Sequence, residues 1–271
     1  MMNVKILLGV FVLCAATVQQ MHGQSGFSHE LGVIFGPVSF SSDFGKGANF
    51  NVKTGNVGLG IGAVHYINFS YDGKLHRYTR ATYFNYHFKI RNELSYHKTN
   101  FEHLGPRANP DDTSLFADQL RSMRGSSQVI DVGSQLEYYP FKIRDYALTG
   151  VYRVFPFVSF GLHYVSYDPE VSSALGDLST LAPNAATPPK YVNSFQNEPG
   201  ATFSFVFSLG TRIKLDPLTD LMVDFRGQHY LSDYVDGLNP RFEENGLVGV
   251  PENRSNDWAY WLNAGVVFYL N

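Results

Sequence analysis

From residue 86 onward the chain divides into segments of about ten residues in which apolar and polar positions alternate, the two-residue period of a strand with unlike faces. Residues 87–96 show this most cleanly: Phe88, Ile90, Asn92, Leu94 and Tyr96 share one face, and Lys89, Arg91, Glu93 and Ser95 share the other. Alternation predicts eight strands, over residues 30–40, 58–71, 86–97, 128–139, 155–167, 201–214, 221–234 and 257–270. A soluble sheet buries its apolar face and leaves charge in water. Several charged faces behind a secretory leader predict the reverse, apolar outside and charged inside. That is an all-β fold, an eight-stranded antiparallel transmembrane β-barrel with long extracellular loops. A soluble secreted β-sandwich is the structural alternative, and it predicts solubility without detergent.

The outward sets are Val158, Phe160, Leu162 and Tyr164; Phe203, Phe205, Phe207 and Leu209; Leu221, Val223 and Phe225; and Tyr260, Leu262, Ala264, Val266 and Phe268. The inward sets are Arg91 and Glu93; Asp131, Gln135 and Glu137; Ser159 and His163; Ser204, Ser208 and Arg212; and Asp224, Arg226 and Gln228. The last strand fits least well, because Trp261 and Val267 also fall on its inward side. Eight strands leave an interior just wide enough to be filled by side chains. Arg91, Asp131, Glu137, Arg212, Asp224 and Arg226 are therefore expected to pair as a plug, in preference to lining a proton or ion pathway.

Connection lengths test the same idea independently. With both termini on the periplasmic side, the connections after the first, third, fifth and seventh strands lie outside the cell and are the long ones. Residues 98–127, 168–200 and 235–256 fit, and residues 41–57 are shorter but substantial. On the other side, residues 215–220 with Pro217 form a tight turn, while Asp72-Gly73 marks a hairpin within residues 72–85.

At the N-terminus, Lys5 precedes an apolar run over residues 6–17 and a small, polar exit at Met21, His22, Gly23 and Gln24, the pattern of a cleaved signal peptide over residues 1–23. The barrel is then residues 24–271. The apolar run is shorter than the roughly 20 residues a spanning helix needs. Cys14, the only cysteine, is preceded by Val12 and Leu13 where lipoprotein processing takes a small residue, so it is expected to leave with the leader. Without disulfides, stability falls to a closed hydrogen-bonded wall. Composition adds 22 Phe, 17 Tyr, only 17% charged residues and a net charge of -3, a balance that argues against a nucleic-acid partner.

Few residues suggest chemistry. Gly58, Gly60 and Gly62 invite a phosphate-loop reading, but no helix or phosphate-binding lysine follows, and close backbone approach on a curved strand explains them better. The nine histidines form no i, i+4 pair, so no metal site or cofactor is expected. His229 with Ser232 and Asp233 is the one candidate for a lipid-directed hydrolase, yet residues three apart on a strand point to opposite faces. The plainer expectation seats His229 with Tyr230 and Tyr234 in an interfacial aromatic girdle. No catalytic residue is assigned. In the loop over residues 98–127, Asn109, Pro110, Asp111 and Asp112 precede Phe116, Leu120 and Met123 at helical spacing, with Gly125 as a stop. A short amphipathic helix folding onto the rim is expected there.

Three segments, residues 24–37 (QSGFSHELGVIFGP), 221–240 (LMVDFRGQHYLSDYVDGLNP) and 253–271 (NRSNDWAYWLNAGVVFYLN), resemble an uncharacterised Bacteroidota family of outer-membrane β-barrel proteins. The chain is more distantly similar to the small barrels attached to the type IX secretion machinery. The resemblance implies an outer-membrane location and a barrel, and carries no catalytic residues. Phe268, Tyr269, Leu270 and Asn271 resemble a barrel-assembly signal, departing from it in the terminal Asn. The expected role is a non-enzymatic binding or structural component of an envelope protein complex in contact with outer-membrane lipid. A narrow solute channel and a lipid-modifying enzyme are the alternatives.

Overall fold

A computed structural model describes residues 27–44, 55–69, 82–143, 146, 153–179, 181–192, 194–239 and 256–270. The leader over residues 1–23, with Cys14, and the Asp72-Gly73 turn lie outside the described residues. Eight strands run β1 (Ser28–Ser41), β2 (Val57–Asn68), β3 (Phe88–Glu102), β4 (Met123–Tyr138), β5 (Val154–Ser173), β6 (Gly200–Asp216), β7 (Thr219–Tyr230) and β8 (Trp258–Leu270). Each pairs antiparallel with its neighbour in sequence, and β8 returns to β1, so the barrel is closed and leaves no edge. The turn between β6 and β7 is two residues, Pro217 and Leu218, while the connections after β3, β5 and β7 at the opposite end are long.

The side-chain alternation falls as the sequence predicts. Leu59 is 74% exposed, Leu209 64%, Phe35 63% and Phe160 61%, whereas Arg91, Glu137, Arg212 and Arg226 are fully buried in the lumen. Trp261 and Val267 do point inward, and the glycines of β2 explain how an indole fits there. A Cβ on Gly60 would lie 2.4 Å from the Trp261 ring, and one on Gly58 would lie 2.0 Å from the Lys98 carbonyl oxygen. Both contacts are impossible for a larger residue, so these glycines serve close packing of the wall and the lumen behind it.

Strands β3, β4 and β5 run further than the alternation predicts, at the long-loop end. The reason is an inversion of the pattern. Along their upper parts Asn100, Glu102, Arg124, Gln128, Asp168 and Glu170 are exposed, while Phe101, Met123, Val129, Tyr167 and Val171 are buried. The wall there is patterned like a soluble sheet, polar outside and apolar inside. Beyond the ends of β2 and β6, asparagines pair with its margins. Val171 N–H donates to Asn197 Oδ1 at 2.7 Å and its carbonyl accepts from Asn197 Nδ2 at 3.0 Å; Glu102 N–H donates to Asn56 Oδ1 at 3.0 Å.

A one-turn helix, α1 (Tyr83–His87), leads into β3. The rim helix α2 spans Leu115–Ser122, capped by Ser114, whose hydroxyl accepts from the Ala117 N–H. It begins later than residues 109–112 suggested, and Gly125 does not stop it: Gly125 is in β4, where a Cβ would strike the Phe44 ring at 2.3 Å.

Gly60→Ala is expected to lower stability by about 1–3 kcal/mol through overpacking against Trp261. Pairing it with Trp261→Leu should recover part of the loss, read as the urea midpoint of the barrel in detergent.

Candidate functional site: a sealed lumen beneath an external lobe

Inside the wall, five carboxylates meet five cations. Glu30, Glu93, Glu137, Asp220 and Asp224 face Lys89, Arg91, Arg212, Lys214 and Arg226. At mid-height Arg226 of β7 makes a bidentate pair with Glu93 of β3, both N···O distances being 2.6 Å, and Arg91 adds a contact to Glu93 at 3.0 Å. Arg91 reaches on to Asp224 at 3.4 Å and Glu137 at 3.7 Å. Lower down, Glu30 of β1 accepts from Lys89 at 2.6 Å and from Arg212, which lies 4.0 Å over the Tyr66 ring. Lys214 pairs with Asp220 at 2.8 Å. Most of the pairs cross the lumen between non-adjacent strands, and each sets a buried charge beside its opposite, as charges removed from water require. These are residues sequence reasoning placed inside, with Glu30, Lys214 and Asp220 added. Asp131 is the exception to the expected pairing: it is buried in the lumen but meets no arginine, and accepts instead from the Gln228 amide at 2.6 Å, 4.0 Å from His97.

Apolar layers close both ends of this plug. Toward the termini lie Ile34, Val64, Tyr66, Tyr139, Tyr146, Phe155, Phe157 and Met222. Toward the loops lies a larger cluster that includes Val38, Phe40, Phe44, Phe101, Val165, Tyr167, Tyr230 and Trp261 from the barrel side, and Ala108, Leu120, Tyr191, Val235 and Leu238 from the loops. Phe40 stacks on Tyr230 with centroids 5.6 Å apart, and Tyr230 is hydrogen-bonded to His97 at 3.1 Å. The helix α2 packs on this cluster, and its Gln119 amide donates to the carbonyls of Asn184 and Ala185 at 2.8 and 3.3 Å, tying two loops together. His103, buried against Phe44 and Tyr191, is pushed down to about 3 by burial and then by Lys190 and Arg124, so it stays neutral.

A carboxylate latch holds the lobe down. Asp257, just before β8, accepts from the N–H groups of Val235 and Asp236 at 3.1 Å each. Asp236 accepts in turn from Asp43 N–H at 2.6 Å and from Leu238 N–H at 2.7 Å. Burial, and then their mutual repulsion and that of Asp43, raise Asp236 and Asp257 well above the usual carboxylate range; burial and Asp43 push Asp233 up to about 7.

The hydrolase candidates do not come together. His229 points outward against Trp258, centroids 4.6 Å apart, while the Ser232 hydroxyl is paired with the Tyr167 hydroxyl at 3.1 Å. The girdle expectation needs correcting as well: Tyr230 is fully buried in the lumen, and Tyr234 packs on the lobe cluster. The aromatic rim is instead Trp258 and Tyr260, 6.2 Å apart, with Tyr164 and Phe203, 5.6 Å apart. Neighbouring residues in sequence alternate between faces, which is what separates Tyr230 from His229. At the other end Phe88 and Tyr138 lie 5.2 Å apart. Among the described residues no helix is long and apolar enough to cross a membrane, and no set of three or more His, Cys, Asp or Glu is arranged to hold a metal ion.

An outward apolar band between two aromatic rims, with charge inside, is made for lipid. This is the wall of an outer-membrane-type barrel. No protein-family model matches the chain, and none of the curated proteins matches it. Among solved structures it is similar to Ail, the attachment invasion locus protein of Yersinia pestis, in complex with the heparin analogue sucrose octasulfate. That match has 10% identity and a TM-score of 0.43, covering 90% of this chain and 99% of that one. It is also similar to Neisserial surface protein A, with 11% identity and a TM-score of 0.42, covering 91% and 99% of the two chains. A major outer membrane protein from Thermus thermophilus shows 12% identity and a TM-score of 0.45, covering 89% and 99%.

Replacing Glu93 with Leu strands Arg226, while Arg91 keeps Asp224 and Glu137, and is expected to cost about 3–5 kcal/mol; Glu93→Leu with Arg226→Met should recover much of it, measured by urea unfolding in detergent. The latch carries a pH dependence of definite sign. Its acids, Asp236 and Asp257, are raised in the folded state, so their contribution is full below about pH 4, where an unfolded Asp also holds its proton, and is lost as pH rises through their raised folded values. Amides 235 and 236 should lose protection against hydrogen exchange as pH rises above the ordinary carboxylate range, after correction for intrinsic rates, and Asp257→Asn should flatten the change.

Proposed function

We propose that the protein is a non-enzymatic outer-membrane β-barrel that serves as a binding or structural component of an envelope assembly, with the external lobe as its docking element. The observation that carries this reading is the filled lumen: its arginines and lysines are buried against carboxylates and apolar layers lie at both ends, so the surface available for function is on the outside. The lobe has the character of such a surface. It is folded onto a raised wall and held by side-chain ties, yet it leaves Leu181 92% exposed and Leu115 66% exposed. The resemblance of three segments to Bacteroidota outer-membrane barrels favours an assembly concerned with secretion or with the cell surface.

The test is affinity isolation of the detergent-extracted protein from its native envelope, in parallel with conductance measurements in planar bilayers. Secretion or surface-assembly subunits are expected to co-purify, to be lost in a folded Leu115→Asp/Leu181→Asp variant, and to be accompanied by no channel current. Recovery of the barrel alone in mild detergent, or a steady conductance, would overturn the reading.

A further inference from the structure

Among the described residues, the lipid-facing band is interrupted by a row of polar side chains across β1 to β4. His29, His65, Asn92 and Ser134 all lie on the outer face, on β1, β2, β3 and β4 respectively, and they form a continuous hydrogen-bonded ladder. Ser134 Oγ donates to Asn92 Oδ1 at 2.7 Å, Asn92 Nδ2 lies 3.3 Å from His65 Nδ1, and His65 Nε2 lies 3.0 Å from His29 Nδ1. The two imidazoles are stacked, with planes 6° apart. His65, Asn92 and Ser134 are direct register partners, so the sheet itself aligns them.

Depth makes the ladder unusual. His65 stands between Ala63 and Ile67 on its face of β2, Asn92 between Ile90 and Leu94 on β3, and Ser134 between Val132 and Leu136 on β4. Val132 and Leu136 are 39% and 41% exposed. His65, Asn92 and Ser134 are therefore within the apolar band and away from its rims, where neither water nor a lipid headgroup is at hand, while His29 lies near the start of β1. Polar side chains in that position are expensive, and in membrane proteins they face another protein surface, where they act as hydrogen-bonding glue beside small residues. Pairing within the ladder meets only part of the need. The Asn92 amide has two N–H groups and gives one to His65, and Ser134, which is exposed, uses its hydroxyl as a donor to Asn92.

We propose that this face of β1 to β4 is a self-association surface, and that its occupant is a second copy of the chain seated about a two-fold axis. The chemistry favours a copy of itself. Asn, Ser and His each donate and accept, so the ladder is its own complement when turned through a half-rotation, and the small Ala63 and Ser134 side chains permit close approach of the two walls. An unrelated partner would have to offer a matching polar strip at the same depth, and a lipid chain offers none.

The experiment is oxidative cross-linking of the full-length protein in lipid vesicles. With Cys14→Ser as the background, Ala63→Cys, beside the middle of the ladder where the two-fold axis falls, should form a disulfide dimer, whereas Leu209→Cys, on the outward face of β6, should not. In detergent, Asn92→Leu should weaken association about tenfold by sedimentation while leaving the barrel folded by heat-modifiable migration. Absence of an Ala63→Cys dimer in a barrel that migrates as folded would overturn the proposal. So would equal cross-linking at Leu209→Cys, or cross-linking of Ala63→Cys in the native envelope only to a different protein.

Discussion

The two-point contact between Arg226 and Glu93 across the lumen is the interaction on which the rest of the barrel depends. It joins β7 to β3 through the middle of the molecule, and Arg91 spreads it to Asp224 and Glu137. A charge placed in a dry interior is tolerated only with its opposite beside it, and replacing a whole buried pair with apolar groups of similar size often costs little. The network is therefore better understood as a specification of which walls face each other than as a reserve of stability. Five anions and five cations make up the network, and Asp131 stands beside it as a sixth carboxylate that accepts from the Gln228 amide. An interlocked lumen directs function to the two surfaces that remain, the lobe and the lipid-facing band.

The lobe exists because three strands outrun the bilayer. Once β3, β4 and β5 pass the aromatic rim, their outward residues become polar and their inward residues apolar, and the same sheet changes from a membrane wall to a soluble one. The apolar interior of that upper wall needs covering, and the loop residues Leu120, Tyr191, Val235 and Leu238 cover it. The latch at Asp257 and Asp236 fastens the cover by accepting backbone N–H groups that would otherwise be buried without partners. The external lobe and the seal on the lumen are thus one structure.

The lipid-facing ladder obeys the rule that governs the plug, applied to the opposite face. In both places a polar group removed from water finds polar neighbours aligned by strand register. The lumen is closed on itself and can satisfy its groups internally. The outer face cannot, and its remaining hydrogen-bonding capacity is what invites a second wall.

Period-two alternation by itself determined the fold class, the count of eight strands, the alternation of long and short connections, and which side of each strand bears charge. These follow because a strand places successive side chains on opposite faces, and the two faces meet solvents of opposite character. Trp261 shows where that reasoning stopped: its inward direction was legible, but the glycine at position 60 that makes room for it is distant in sequence. The extension of β3 to β5 escaped for a related reason, since an inverted pattern does not look like a continuation of the same strand. Tyr230 entered the lumen because it is one residue from His229, a distinction that depends on the register of β7 and not on residue type. Which carboxylate meets which arginine, how Asp257 fastens the lobe, and that His65, Asn92 and Ser134 stand side by side were decided by the tertiary structure alone. Those contacts join residues far apart in the chain, and only closure of the barrel sets their distances.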